Sequence, residues 1–324
     1  MEKNAIKLDK KDRKILYYLD LDSRQTLSQL AKKVILSKQV IDYRIKNLVK
    51  KGVISQFYTV INISKLGYTH YKLYFKFQNV DLNKEKEISG YWINSKNAIW
   101  VVFCRGRWDL AVSLLAKDTD ELGEIITEFT NKYSNFILEK NILITQFSPV
   151  FTKTYLTEEK EKKEFIYLGK IQNYELDETE KKILSILATN ARIPILELMD
   201  KTNLTRDVIN YRLKKLTKEG VISQYRVLVD LNKIGYKLYK IILRLQNLSL
   251  QKEKEFRDFV KYHANGVQFL KLLGNWDVEL EFEVKDEEQL HQILSEIRNK
   301  FSDVIRDYDT LLIYKELKLN YFPF

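Results

Sequence analysis

Gly52-Val53-Ile54-Ser55-Gln56 occurs again, unchanged, as Gly220-Val221-Ile222-Ser223-Gln224. The same offset of 168 residues carries Lys65-Leu66-Gly67-Tyr68 onto Lys233-Ile234-Gly235-Tyr236, and Gly106-Arg107-Trp108-Asp109 onto Gly274-Asn275-Trp276-Asp277. From Leu8 to Tyr68, 25 of 61 positions match their partners without a gap. A solenoid repeats every ~20–50 residues, so this period marks a whole functional unit duplicated and fused.

Working outward from the repeated pentapeptide, the residues before it read as three helices. Asp9 is an N-cap residue, with Asp12 three positions on and Ile15, Leu16 and Leu19 along one face. A second helix starts at Thr26 or Leu27 and buries Leu27, Leu30, Ala31 and Val34. Pro194 holds the Thr26 position in the repeat, where a helix start tolerates it. Ser37, and Thr205 in the repeat, caps a third helix with Val40, Ile41, Ile45, Leu48 and Val49 as its apolar stripe, and Gly52 stops it. Val53 to Ile63 is rich in β-branched and aromatic residues and reads as a β wing. Beyond Tyr71 the period becomes two: Tyr71, Leu73, Phe75 and Phe77 alternate with Lys72, Tyr74, Lys76 and Gln78, a half-buried strand. A helix over 82–95, strands over 99–103 and 108–115, a helix over 118–133 and a strand over 137–147 complete a βαββαβ order, repeated over 238–319.

The expected fold is therefore α+β: two repeats, each a winged helix-turn-helix followed by a ferredoxin-like βαββαβ sandwich. The boundaries are 1–66 and 67–156 for the first repeat, a charged linker over 157–175, then 176–234 and 235–324.

Charge is distributed unevenly over this symmetric scaffold. Of the net +11, residues 1–66 alone carry 15 Lys+Arg against 6 Asp+Glu, whereas residues 169–234 carry 12 against 9. A concentrated basic module points to a polyanion, most simply double-stranded DNA. A third helix entering the major groove offers Ser37, Lys38, Gln39, Tyr43 and Lys46 to base edges and backbone, with Arg44, Lys50 and Lys51 placed for phosphates. The repeat offers Thr205, Arg206, Asn210, Tyr211, Arg212 and Lys214. Asp207 there replaces Gln39 and Glu219 replaces Lys51, so the second reader is expected to bind more weakly.

Other classes are poorly supported. No apolar run approaches the ~18 residues of a membrane span, and the N-terminus lacks the apolar segment of a signal peptide. Cys104 is the single cysteine, which fits a reducing cytoplasm and a buried core thiol. Gly-rich phosphate loops, metal-ligand clusters and nucleophile motifs are absent, so neither a cofactor, nor a metal, nor an enzymatic activity is expected.

These residues resemble the Lrp/AsnC family of leucine-responsive or feast/famine regulators. The resemblance rests on Leu8-Asp9, Asp12, Ile15-Leu16, Asp22-Ser23-Arg24, Leu30-Ala31, Leu36-Ser37, Arg44-Ile45, Gly52-Val53-Ile54, Leu66-Gly67-Tyr68 and the Gly106/Trp108/Asp109 turn, with Asn190-Ala191-Arg192 in the second half. It implies DNA binding, an αβ sandwich that dimerises and, in many members, an amino-acid or other small-metabolite effector near the turn between the central strands. Gly106, Trp108, Asp109, Gly274, Trp276 and Asp277 are the effector candidates it implies, each with an alternative structural role. Ordinary members carry one unit per chain. This tandem is expected to pack sheet against sheet as an intrachain pseudo-dimer, open to further homo-oligomerisation. Sirohaem decarboxylases share the architecture, but their His-dependent chemistry is not matched here: His70, His263 and His291 face Leu238, Ser95 and Gly123 at the repeat positions. A metabolite sensor with a degenerate second DNA reader is a third reading.

Overall fold

Asp9, Thr26 and Ser37 each satisfy orphan amides at a helix start, and together they set out the first module. The computed structural model describes residues 5–158, 162–322 and 324. Asp9 accepts from the Asp12 amide at 2.7 Å and opens α1 (Lys10–Leu21). Thr26 and Gln29 form a reciprocal capping box at the start of α2 (Leu27–Val34). Ser37 caps α3 (Lys38–Lys50). Gly52, at φ +69°, lets Val53 N–H reach back to Leu48 O at 2.9 Å and ends it. The first half continues with β1 (Ile54–Ile61), β2 (Thr69–Phe77), α4 (Leu82–Asn94), β3 (Ala98–Arg105), β4 (Leu110–Ala116), α5 (Thr119–Tyr133) and β5 (Ile137–Phe151).

After β6 (Glu164–Leu168) the second half follows as α6 (Glu178–Leu187), α7 (Ile195–Thr202), α8 (Arg206–Lys218), β7 (Ile222–Val229), β8 (Lys237–Leu245), α9 (Leu250–Tyr262), β9 (Gly266–Leu273), β10 (Val278–Val284), α10 (Glu287–Phe301) and β11 (Ile305–Leu319).

The expected wing strand finds its partner in the other half. β1 pairs antiparallel with β7, its repeat equivalent. A lone strand leaves its ladder groups unsatisfied, and the sister copy supplies them. The loops beside this ribbon interlock reciprocally. Arg24 donates to Ala191 O at 2.6 Å and lies 5.5 Å over the Tyr225 ring; Arg192 donates to the Ser23 and Gln25 carbonyls and lies 5.5 Å over Phe57. A buried pair, Arg226 to Asp20 at 2.6 Å, adds a cross-half tie.

The two αβ units close on each other. Within the halves the strand orders are β5-β2-β4-β3 and β9-β10-β8-β11, and antiparallel β3–β11 and β5–β9 pairings join both edges into a ring. Closure removes the sheet edges that each unit alone would expose. Outside the ring, Ile88, Trp92, Phe129 and Tyr133 of α4 and α5 pack on Tyr71, Leu73 and Phe75. Phe256, Val260, Ile293, Ile297 and Phe301 of α9 and α10 do the same for Tyr239, Ile241 and Leu243.

Two expectations are corrected here. β2 is buried on both faces, because the sister sheet covers Lys72 and Tyr74. The segment 157–175 is also more than a charged linker: Glu164–Leu168 forms β6, which pairs with the end of β5.

Candidate nucleic-acid interface

α3 and α8 present the same face at the surface of the two modules. Ile41, Ile45 and Leu48 of α3, and Ile209 and Leu216 of α8, turn inward. Lys38, Gln39, Tyr43, Lys46, Lys50 and Lys51 are exposed on the first helix and its cap; Arg206, Tyr211 and Lys214 are exposed on the second, where Asn210 is half-buried. Tyr43 and Tyr211 are 69% and 64% exposed at equivalent positions, with the Arg212 guanidinium 5.9 Å from the Tyr211 ring centroid.

The remaining candidates have local duties. Ser37 and Thr205 accept from the Val40 and Val208 amides at 3.3 and 3.4 Å as helix caps. Arg44, expected at a phosphate, turns inward and bridges Asp9 and Asp12, both at 2.7 Å. Arg212 does likewise, with Asp177 at 2.6 Å and Glu180 at 3.3 Å. These ties fix each third helix against the first. At Asp9, burial is outweighed by the Asp12 amide and the Arg44 guanidinium, which hold its carboxyl below the usual range.

Each reader leaves three cations without an ion pair among the described residues, Lys38, Lys50 and Lys51 on one and Arg206, Lys214 and Lys218 on the other, so the two differ in the acids beside them. On α3, Lys46 pairs with Asp42 at 2.6 Å, while Lys38, Lys50 and Lys51 have no ion pair among the described residues. On α8, Lys215 is drawn to the buried Glu180 at 3.0 Å, and Asp207 and Glu219 are exposed beside Arg206 and Lys218.

Ile35 was not anticipated. It sits in the helix-turn-helix turn at φ +61°, 76% exposed, in a conformation that β-branched residues resist. Its repeat partner Asn203, at φ +55°, is the signal that marked the position.

The turn residues proposed for an effector hold the barrel together. Trp108 and Trp276 are buried between the sheets. Asp109 accepts from the Phe77 amide at 2.8 Å, and Asp277 from the Leu245 amide at 2.7 Å. Gly106 (φ +132°) and Gly274 (φ +140°) touch the opposite half: a Cβ there would lie 2.7 Å from Thr310 O and 2.6 Å from a Leu143 methyl.

The barrel interior carries charge that the sequence reading did not place. Glu279, Glu281 and Glu283 alternate along β10 and face inward. Lys72 meets Glu279 at 2.8 Å, and Lys240 bonds both Glu279 and Glu281. Burial opposes ionisation of Glu279, but Lys240 and Lys72 hold its carboxyl far below the usual range. Burial, then the nearby Lys72, brings His70 down to about 3, so it is neutral; its Nδ1 lies 2.8 Å from Thr145 Oγ1. Cys104 is buried and its thiol is pushed up to about 12, which makes it inert. Among the described residues no group of His, Cys, Asp or Glu is placed to hold a metal ion, and no helix is long and apolar enough to cross a membrane.

These features define a tandem winged helix-turn-helix protein whose paired αβ units form one barrel. A winged helix-turn-helix DNA-binding family matches the chain at residues 8–55 and 176–223. The uncharacterized HTH-type transcriptional regulator PH0061 of Pyrococcus horikoshii is 32% identical over 130 residues, which is 38% of this chain and 86% of that protein. The HTH-type transcriptional regulator FL11 of the same organism is 28% identical over 119 residues, or 37% and 78%. Each such relative thus corresponds to about one half of the tandem. The crystal structure of the siroheme decarboxylase NirDL overlays 96% of this chain and 93% of its own, with a TM-score of 0.63 and 15% identity, a likeness of fold. The chain belongs to the Lrp/AsnC family.

Proposed function

We propose that this protein is a sequence-specific DNA-binding transcriptional regulator that acts as a covalent pseudo-dimer with two unlike readers. The observation that carries this reading is the pair of exposed, basic third helices, held in one frame by the β1–β7 ribbon and the reciprocal Arg24 and Arg192 contacts. Lys38, Lys50 and Lys51 neutralise phosphates on the stronger side, and Gln39 and Tyr43 address bases; Arg206, Lys214 and Asn210 serve the weaker side. Because both readers belong to one chain, the weaker engages at the high local concentration its partner creates. Modulation by an amino acid or other small metabolite belongs to this reading through the family resemblance. The turn residues Gly106, Trp108, Asp109, Gly274, Trp276 and Asp277 would then shape the barrel around such a ligand rather than touch it.

Fluorescence anisotropy with duplex DNA, titrated with salt, tests the reading. Log affinity should fall linearly with log salt, by about 0.9 per neutralised phosphate. Absence of binding at low salt would refute it.

The full-length likeness to NirDL supports a second reading, a decarboxylase-like enzyme on this scaffold. Its measurable signature is saturable uptake of an iron porphyrinoid with a shifted absorption band. That result without DNA binding would favour the enzyme.

A further inference from the structure

Two joined cavities run inward from the rim of the barrel. The inner one, about 120 Å³, lies between the sheets and under the β1–β7 ribbon. The outer one, about 470 Å³, shares Lys153, Leu228, Leu238, Glu283, Glu316 and Leu319 with it.

Charges around the inner cavity cancel in sets. Lys72 and Lys240 share Glu279 and Glu281, Lys153 faces Glu283 at 2.6 Å, and Arg226 holds Asp20. Glu316 is left over. It forms no ion pair among the described residues, its side-chain hydrogen bond comes from the Trp100 indole, and a large share of its surface is free because it borders both cavities. Three phenols line the same chamber. Tyr58 stacks on Tyr321 at 5.7 Å, and Tyr167 meets Tyr321 edge-on at 4.8 Å. Tyr167 is buried, and its hydroxyl has no hydrogen-bond partner among the described residues. The Glu316 carboxyl, with no cation of its own, opens onto the cavities, and a buried hydroxyl without a partner is expensive to maintain.

We propose that this chamber binds a small primary ammonium compound, with Glu316 as its counter-ion, the Tyr167 hydroxyl accepting one N–H, and Tyr58 and Tyr321 as aromatic walls. The inner volume equals that of about four waters, which suits a short alkylamine. Its ammonium satisfies the carboxylate, and tyrosine faces attract organic cations. A carboxylate on the same ligand would point to the outer cavity, where Lys237 and Lys315 stand.

The site has a built-in proton linkage. Burial pushes the Glu316 carboxyl up to about 7. The groups around it are Trp100 from β3, Lys153 following β5, and Glu281 and Glu283 from β10, with His70 and Lys72 from β2 and Tyr58 and Arg226 from the ribbon lining the inner cavity. Asp230 and Lys318 complete the outer rim, and the Lys318 ammonium donates to Ser95 O at 2.7 Å. An ammonium ligand selects the ionised carboxylate, so binding should tighten about tenfold from pH 6 to pH 8, as the ionised fraction rises from about a tenth to about nine-tenths.

Isothermal titration calorimetry on the full chain with n-butylammonium and with norvaline, the same carbon skeleton bearing a carboxylate, tests this. Saturable 1:1 binding of either probe, tightening about tenfold over that range and lost in Glu316→Gln, supports the proposal. Norvaline alone binding identifies an amino acid as the source; n-butylammonium binding equally well identifies a simple amine. Glu316→Gln should keep the thermal midpoint, which separates loss of the site from loss of the fold. Neither probe binding, or binding that ignores pH and Glu316→Gln, overturns the proposal. The site stands on the chamber alone, so its failure leaves the DNA reading untouched, and the reverse holds.

Discussion

Lys38 and Arg44 lie within two turns of one helix, both basic, yet the structure gives them opposite work. Lys38 is exposed at the N-terminal end of α3 without an ion pair among the described residues. Arg44 is spent on Asp9 and Asp12. Lys38→Ala should remove one phosphate contact. The slope of log affinity against log salt should then shrink by about 0.9, and at 0.1 M salt affinity should fall about eightfold. Stability should stay within about 0.5 kcal/mol, as for surface substitutions generally. Arg44→Ala should do the reverse. Two partly exposed ion pairs contribute roughly 0.5–1 kcal/mol each, with the Asp9 pair at the low end because that carboxylate is half exposed. The expected loss is about 1–1.5 kcal/mol of stability, seen in urea denaturation, with an unchanged salt slope for the protein that remains folded. Anisotropy titrations at four salt concentrations beside urea melts separate the two outcomes. If Arg44→Ala flattens the slope by about one and leaves the melt alone, the inward assignment of Arg44 is wrong.

Further substitutions probe the other contacts. Lys38→Glu should weaken DNA binding more than Arg206→Glu, because Asp207 already stands beside Arg206; equal losses would contradict unlike readers. Asp20→Asn strands the buried Arg226 guanidinium and should cost about 3–5 kcal/mol, whereas Asp20→Leu combined with Arg226→Leu should recover most of it. A double variant no better than the single one would refute that reading. Gly274→Ala places a Cβ against Leu143 at a φ that L-residues avoid, so the thermal midpoint should drop by an amount equivalent to roughly 1–3 kcal/mol. Glu279, held below its unfolded value of 4.5 by Lys240 and Lys72 despite burial, adds stability that is present above that value and lost as pH falls beneath it. Acid titration of the unfolding free energy should show this fall, and Glu279→Gln should flatten it.

The legible parts of this molecule were those whose physics is local. Caps at Asp9 and Ser37, the helix start at Thr26 or Leu27, the stop at Gly52 and the period-two run from Tyr71 each act over a few residues, and the structure follows them. What escaped depends on contacts across the repeat. Lys72 and Tyr74 looked solvent-facing because alternation reports one covered face and says nothing of a second sheet. Glu279, Glu281 and Glu283 alternate with Val278, Leu280 and Phe282, an ordinary amphipathic strand unless Lys72, 207 residues before Glu279, is known to lie opposite. Arg44 and Arg212 read as DNA contacts because helical position alone cannot show that acids some 32 to 35 residues earlier claim them. Within 157–175, the apolar run Phe165-Ile166-Tyr167-Leu168 was visible, but the charges before it dominated the reading.

The ring of strands has a consequence for how such a protein answers changes in its own abundance. Both joins of the ring, β3 to β11 and β5 to β9, are made within one polypeptide. Dilution cannot open them, so the pair of third helices is complete in the first molecule synthesised. Occupancy of a target should therefore rise in simple proportion to chain number at low dose, without the threshold that a dissociating dimer imposes. The fusion also shuts out mixed partners, because a related single-unit chain finds both ends of the ring already taken. Freed from self-complementarity, each half can drift separately, and the acids at Asp207 and Glu219 mark where it already has.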